Sequence, residues 1–126
     1  DNNKIKPYLE WMNYDVNKFS QGINLFPTGV GGVLYPSNSL NKEVFNSKVF
    51  LEICPLADDV WFKAMSLLNK TNCRRVFKNK NPHFVILRST QETALFKENV
   101  NLGKNDEQIK KVFEKYNLNK EIIEIE

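Results

Sequence analysis

Phe26-Pro-Thr-Gly-Val-Gly-Gly-Val-Leu-Tyr-Pro36 and, further along, Cys54-Pro-Leu-Ala-Asp-Asp-Val-Trp-Phe-Lys63 set a glycine loop beside a pair of adjacent aspartates. Glycine has no Cβ, so Gly29, Gly31 and Gly32 let the backbone approach a ligand that other residues would exclude. From Asp58 onward Val60, Trp61, Ala64, Met65, Leu67 and Leu68 fall on one apolar helical face. That spacing predicts a helix from Asp58 to Asn69, stopped upstream by Pro55. Asp58 and Asp59 then lie in its first turn, where negative charge is favoured by the helix dipole.

Asp1 to Asn24 mixes Pro7, Tyr8, Trp11, Met12 and Tyr14 with polar residues and reads as an irregular or partly helical lead-in. Gly32-Val-Leu-Tyr35 is short, apolar and closed by Pro36, which predicts a buried strand. Pro36-Ser-Asn-Ser39 is a turn, Asn41 caps a short helix through Phe45, and Ser47 caps another through Ile53. Arg75-Val-Phe77 and Phe84-Val-Ile-Leu87 are β-type runs around a polar turn. A short helix is expected over Glu92–Glu98. Ile109, Val112, Phe113 and Tyr116 mark a firmer helix, with Asp106 and Glu107 at its start and lysines 110, 111 and 115 along it. The tail from Glu121 frays or adds an edge strand. The mixture predicts an α/β or α+β class without a regular run of βαβ units, over residues 1–126 as a single domain or a piece of a larger one.

The chain has 126 residues, and 41% hydrophobic content allows a modest core, which excludes disorder. Its net charge of +3 comes from 18 basic and 15 acidic residues in mixed order, densest in base between Lys70 and Lys80. No nucleic-acid motif accompanies that run, so a solvated face is expected and a nucleic-acid partner is not. Cys54, Cys73 and His83 are too few for a structural zinc site. No leader and no apolar run of bilayer length is visible. The expected location is the cytoplasm, either free or held peripherally at the inner face of a bacterial membrane; abundant Asn and Lys fit an A/T-rich bacterial coding sequence.

Each candidate residue has two explanations. Aspartate is a preferred capping residue, so Asp58-Asp59 serves a helix start on one account. On the other, a second carboxylate beside the first repels it unless a hydroxyl or a metal uses it. Thr28-Gly-Val-Gly-Gly-Val33 lacks the Gly-Lys-Ser/Thr ending of a phosphate loop, leaving a tight turn or close approach to a sugar ring. Trp61 is either core or a stacking face for a sugar, and Trp11 and Tyr8 share those alternatives. His83 reads as an ordinary packed or surface residue. Neither cysteine has a base nearby in sequence to make it a nucleophile.

In order along the chain, Pro7-Tyr8-x-x-Trp11, the glycine stretch Phe26–Pro36, Ala57-Asp-Asp-Val-Trp-Phe-Lys63, Leu95-x-x-x-Asn99 and Gly103-Lys-Asn-Asp106-Glu-Gln-Ile109 resemble the C-terminal part of bacterial surface-polysaccharide glycosyltransferases of capsule and lipopolysaccharide assembly. The resemblance covers most of the chain. It implies the acceptor-side half of a GT-A-type catalytic domain, with a nucleotide sugar and a glycan acceptor as partners. It further implies Asp59 as the general base, Asp58 as the residue orienting acceptor or base, and Thr28, Gly29, Gly31, Gly32 and Trp61 at the substrate. Such enzymes hold a divalent metal, Mn or Mg, through an Asp-x-Asp motif in their first half. No such motif stands here, so no cofactor is expected in this chain, the metal is expected in the full-length enzyme, and the chain by itself is expected to be inactive. The alternative from another class is a non-catalytic carbohydrate- or protein-binding module using Trp61, Trp11 and the glycine loop.

Overall fold

A computed structural model describes residues 5–11, 21–29, 32–76 and 97–118. The core forms where the sequence is most regular. Helix α3, Asp58–Leu68, buries Val60, Trp61, Ala64, Met65 and Leu67, and packs against α4, Lys104–Tyr116, which contributes Ile109, Val112 and Phe113. Ile23, Ile53, Cys54, Ala57 and Leu118 close the cluster. Ahead of these helices come α1, a single turn at Tyr8–Trp11, and α2, Ser47–Ile53. A 3₁₀ turn at Lys42–Phe45 precedes α2, and a π-helical turn at Lys97–Asn101 precedes α4. The described sheet is two residues wide on each side: β1, Gln21–Gly22, pairs antiparallel with β2, Cys73–Arg74, with Gly22 opposite Cys73. The class is therefore mixed helix and strand, dominated by helix among the described residues.

Both long helices end by the same device. After α3, Lys70 takes a left-handed φ of 52°, its N–H donates to the Leu67 carbonyl and the Thr71 N–H to that of Ser66. After α4, Asn117 takes a φ of 55°, its N–H donates to Glu114 and the Leu118 N–H to Phe113. This paired closure satisfies carbonyls that a helix end leaves without partners. At α4 it also folds Leu118 back into the core beside Phe113, an apolar contact that commonly accompanies the motif.

Several local expectations change. Gly32–Tyr35 is irregular chain, not a buried strand: Leu34 is 89% exposed, and among the described residues no ladder takes these up. The cap of α2 is Asn46, whose side chain accepts from the Val49 N–H at 3.3 Å, while Ser47 is the first helical residue. Asn41 does cap the 3₁₀ turn, accepting from Glu43 at 3.0 Å, and Pro36–Ser39 is a turn closed at 3.1 Å with Asn38 at a φ of 62°. Of the strand expected at 75–77, Arg75 and Val76 are irregular chain just after the strand Cys73–Arg74, and Phe77 lies outside the described residues. The run 84–87, the first residues of the helix expected over 92–98 and the tail from 121 lie outside the described residues, as does His83. Among the described residues, no helix is long and apolar enough to cross a membrane.

One segment fixes where α3 begins. Leu56 lies in the turn between α2 and α3. Its N–H donates to Gln108 Oε1 at 2.9 Å, and its carbonyl accepts from Asn99 Nδ2 at 2.6 Å. Both backbone groups of one residue are thus held by side chains from the π turn and α4. Replacing Gln108 with alanine strands the Leu56 N–H and is expected to cost about 1–2 kcal/mol. Trp61→Ala, which empties the centre of the core, is expected to cost about 3–5 kcal/mol. Urea denaturation of the two variants measures both, and a Trp61→Ala loss below about 1 kcal/mol would be too small for a core residue.

Candidate functional site

The aspartate pair occupies the first two residues of α3, one step inside the cap. Ala57 holds the capping position and makes no side-chain cap. Asp58 Oδ1 accepts the Asp59 N–H at 3.0 Å, and Asp59 Oδ1 accepts the Val60 N–H at 2.9 Å. Each carboxylate therefore occupies one oxygen on a helix-start amide. The two differ in surroundings. Asp58 is exposed, whereas Asp59 is half-buried, and burial pushes its carboxyl above the usual carboxylate range. The Val60 amide works against that rise and the Asp58 charge adds to it.

Three other groups sit within the field of Asp59. The Tyr8 and Tyr35 phenols are raised above their ordinary value, by burial first and by Asp59 among the lesser causes. The Cys54 thiol is pushed up to about 12, again by burial first and Asp59 second, with Lys111 opposing. Tyr35 follows the glycine loop by a few residues and packs on Phe62 with ring centroids 5.3 Å apart. Tyr35 thus lies against α3 within the field of both aspartates. Tyr8 arrives from α1, which α4 holds: the Tyr8 N–H donates to Asp106 Oδ1 at 2.8 Å. Tyr8, Trp11 and Phe26 form an aromatic group, with centroids 5.2–6.0 Å apart and the Trp11 indole N–H on the Lys6 carbonyl.

The expected substrate residues divide. Thr28 and Gly29 are exposed, and Gly32, also exposed, donates its N–H to the Gly29 carbonyl at 3.0 Å. Gly32 has a φ of 81°, a conformation that glycine accepts without strain. A Cβ at Gly29 or Gly32 would meet open space, so within the described chain the demand at Gly32 is conformational and not one of close approach. Gly31 lies outside the described residues. Of its two accounts, core or stacking face, Trp61 takes the core one. It is 2% exposed, its ring meets Phe50 and Tyr116 at 5.7 and 6.1 Å, and its indole N–H donates to the Val44 carbonyl. No face remains for a sugar.

Both carboxylates of the acid pair already accept helix amides, and no group of three or more His, Cys, Asp or Glu that could hold a metal assembles among the described residues. Two neighbours stand outside the candidates that the sequence offers: Tyr35, within the field of Asp59, and Lys63, a lysine only 5% exposed on α3. Lys63 had a visible signal: it stands three residues after Val60 and four before Leu67, inside the apolar stripe. Comparison with known proteins finds no family model, curated protein or solved structure that matches the chain.

Proposed function

We propose that this chain forms the acceptor side of a nucleotide-sugar-dependent glycosyltransferase, with Asp59 as general base. The observation that carries the proposal is the asymmetry of the acid pair. One carboxylate is exposed and the other is half-buried, with a raised affinity for protons, on a helix start held in place by Asn99 and Gln108. A base is most effective when its pKa lies near the working pH, and burial moves Asp59 in that direction.

In the proposed reaction an acceptor hydroxyl lies against Asp59 Oδ2. As its oxygen bonds to the anomeric carbon of the donor, its proton passes to the carboxylate, and the bond from that carbon to the nucleotide diphosphate breaks. Asp58 orients the acceptor. The Tyr8 and Tyr35 phenols stay protonated, since burial and the nearby carboxylate charge oppose their ionisation, and so can donate to sugar hydroxyls. The GT-A architecture, the nucleotide site and its metal belong, in this proposal, to sequence outside the chain. Here Trp61 has only a supporting part, packing the helix that carries Asp59. The half-buried Tyr8–Trp11–Phe26 group beside Asp59 favours a second function, a carbohydrate-binding module that grips sugars by stacking without chemistry.

Asp59→Asn in the full-length protein separates the two. Loss of a general base is expected to lower kcat roughly 10²–10⁴-fold with donor binding retained. For the wild type, activity is expected to climb with pH through an inflection above the ordinary carboxylate range. Sugar binding with unchanged turnover, or none in either protein, would favour the module.

The same substitution has a stability readout in the isolated chain. A raised folded pKa means that the folded state binds the Asp59 proton more tightly. The associated stability is present below the unfolded pKa and is lost as pH rises through the folded one. At neutral pH the ionised carboxylate is thus a liability, and asparagine keeps an acceptor for the Val60 amide. Because Asp59 is only half-buried and solvent screens it, Asp59→Asn is expected to stabilise the chain at pH 7 by roughly a few tenths of a kcal/mol. Urea titrations at pH 7 and at pH 3 read this difference, and a clear destabilisation at pH 7 would contradict it.

A further inference from the structure

Lys63 and Cys73 form a pair that sugar transfer does not use. Lys63 Nζ donates to the Ile23 carbonyl and lies 3.9 Å from Cys73 Sγ. The residue is 5% exposed, and burial holds its amine below the usual lysine range. Loss of hydration favours the neutral form, which carries a nucleophilic lone pair. Cys73 is less enclosed. It is partly buried in the short ladder, and its partner across the strands is Gly22, which has no side chain to cover it and meets no described atom within 4 Å of where a Cβ would stand. Of the two residues Cys73 is the one nearer solvent, with the buried amine behind it. Cys54 is the internal contrast: wholly buried, with a thiol pushed up to about 12, it is the inert kind of cysteine.

We propose that Lys63 and Cys73 constitute a peroxide-responsive modification site, at which oxidation of the sulfur ends in a covalent sulfur–nitrogen cross-link between the two side chains. In the first step the Cys73 sulfur attacks one oxygen of hydrogen peroxide and the O–O bond breaks. The products are the sulfenic acid and one water, which takes up the thiol proton. In the second, the Lys63 lone pair attacks Sγ, the S–O bond breaks, and the hydroxyl leaves as a second water with a proton from the amine. Sulfenic acids condense with backbone nitrogen in this manner, and here the nitrogen is a side-chain amine already at contact distance. Cys73 loses two electrons and one peroxide is reduced. An external thiol reverses the link by attacking the same sulfur. The bond ties β2 to the buried face of α3 and draws the amine from the Ile23 carbonyl, so the link between α3 and the β1 end of the ladder changes with redox state.

The test treats the folded chain with hydrogen peroxide and follows intact mass and non-reducing peptide maps. The expected product is lighter by two hydrogens, contains one peptide joining Lys63 to Cys73, and returns to the starting mass with dithiothreitol. A Cys54–Cys73 disulfide has the same mass, so the Cys54→Ser chain is the deciding sample. Formation of the lighter species in Cys54→Ser, and its loss in Cys73→Ser, supports the cross-link. Dimedone traps a free sulfenic acid, and Lys63→Arg, which retains a cation but no comparable amine, is expected to raise trapping at Cys73 several-fold. Should that variant fail to fold, the peptide map of the Cys54→Ser chain decides. Oxygen addition at Cys73 with no lighter species, or a lighter species that vanishes in Cys54→Ser, overturns the proposal.

Discussion

The hold on Leu56 is the constraint from which the geometry of this chain follows. A turn between two helices has backbone groups that neither helix can satisfy, and leaving them unpaired in a half-buried position is costly. Here Asn99 and Gln108 satisfy both. The two side chains come from far along the sequence, so the hydrogen bonds register the start of α3 against the π turn and α4. The register of α3 places Trp61 between Phe50 and Tyr116. It also sets where the first turn, and with it Asp58 and Asp59, meets solvent. The clamp has its own partner, since Gln108 Nε2 donates back to the Lys104 carbonyl at the start of α4.

Beyond its first turn α3 is mostly enclosed, with a contiguous set from Val60 through Leu67 buried apart from Phe62. The polar chemistry available on this helix is therefore concentrated at its N-terminal end. Helix-start amides tolerate negative charge, which explains how two adjacent carboxylates coexist there. Position alone does not distinguish them; burial does. Tyr8 and Cys54 lie in the field of the half-buried carboxylate, while Tyr35 lies in the field of both, Asp58 ahead of Asp59.

The helical part of this architecture was legible because it rests on local periodicity. The apolar stripe of α3, the acidic start and apolar face of α4 and the Asn41 cap all follow from neighbours in sequence. Sequence and structure part where tertiary contacts decide. Gly32–Tyr35 has strand composition, but no ladder among the described residues takes it up and Leu34 points to solvent. Trp61 next to two aspartates resembles a sugar platform on paper, yet the helical turn carries it to the opposite, buried side. Asn46, itself a preferred cap residue one position before Ser47, takes the cap by accepting the Val49 amide. Leu56 as the anchor was invisible, since nothing in residues 54–57 indicates which distant amides will hold them.

Asp59 and Lys63 stand one helical turn apart, at the spacing where an acid followed by a base normally pairs on a helix surface. They make no such pair: Lys63 turns inward to the Ile23 carbonyl and Cys73, and Asp59 stays at the helix start with the Val60 amide. Burial shifts each toward its neutral form, raising the acid and lowering the base. A direct ion pair would have done the reverse, holding both charged. The fold thus keeps two ionisable groups on one helix apart, the acid half-buried at its start and the base enclosed a turn further on. Their separation leaves each with the cost of its own burial, and perturbed groups of this kind are where candidate chemistry is sought.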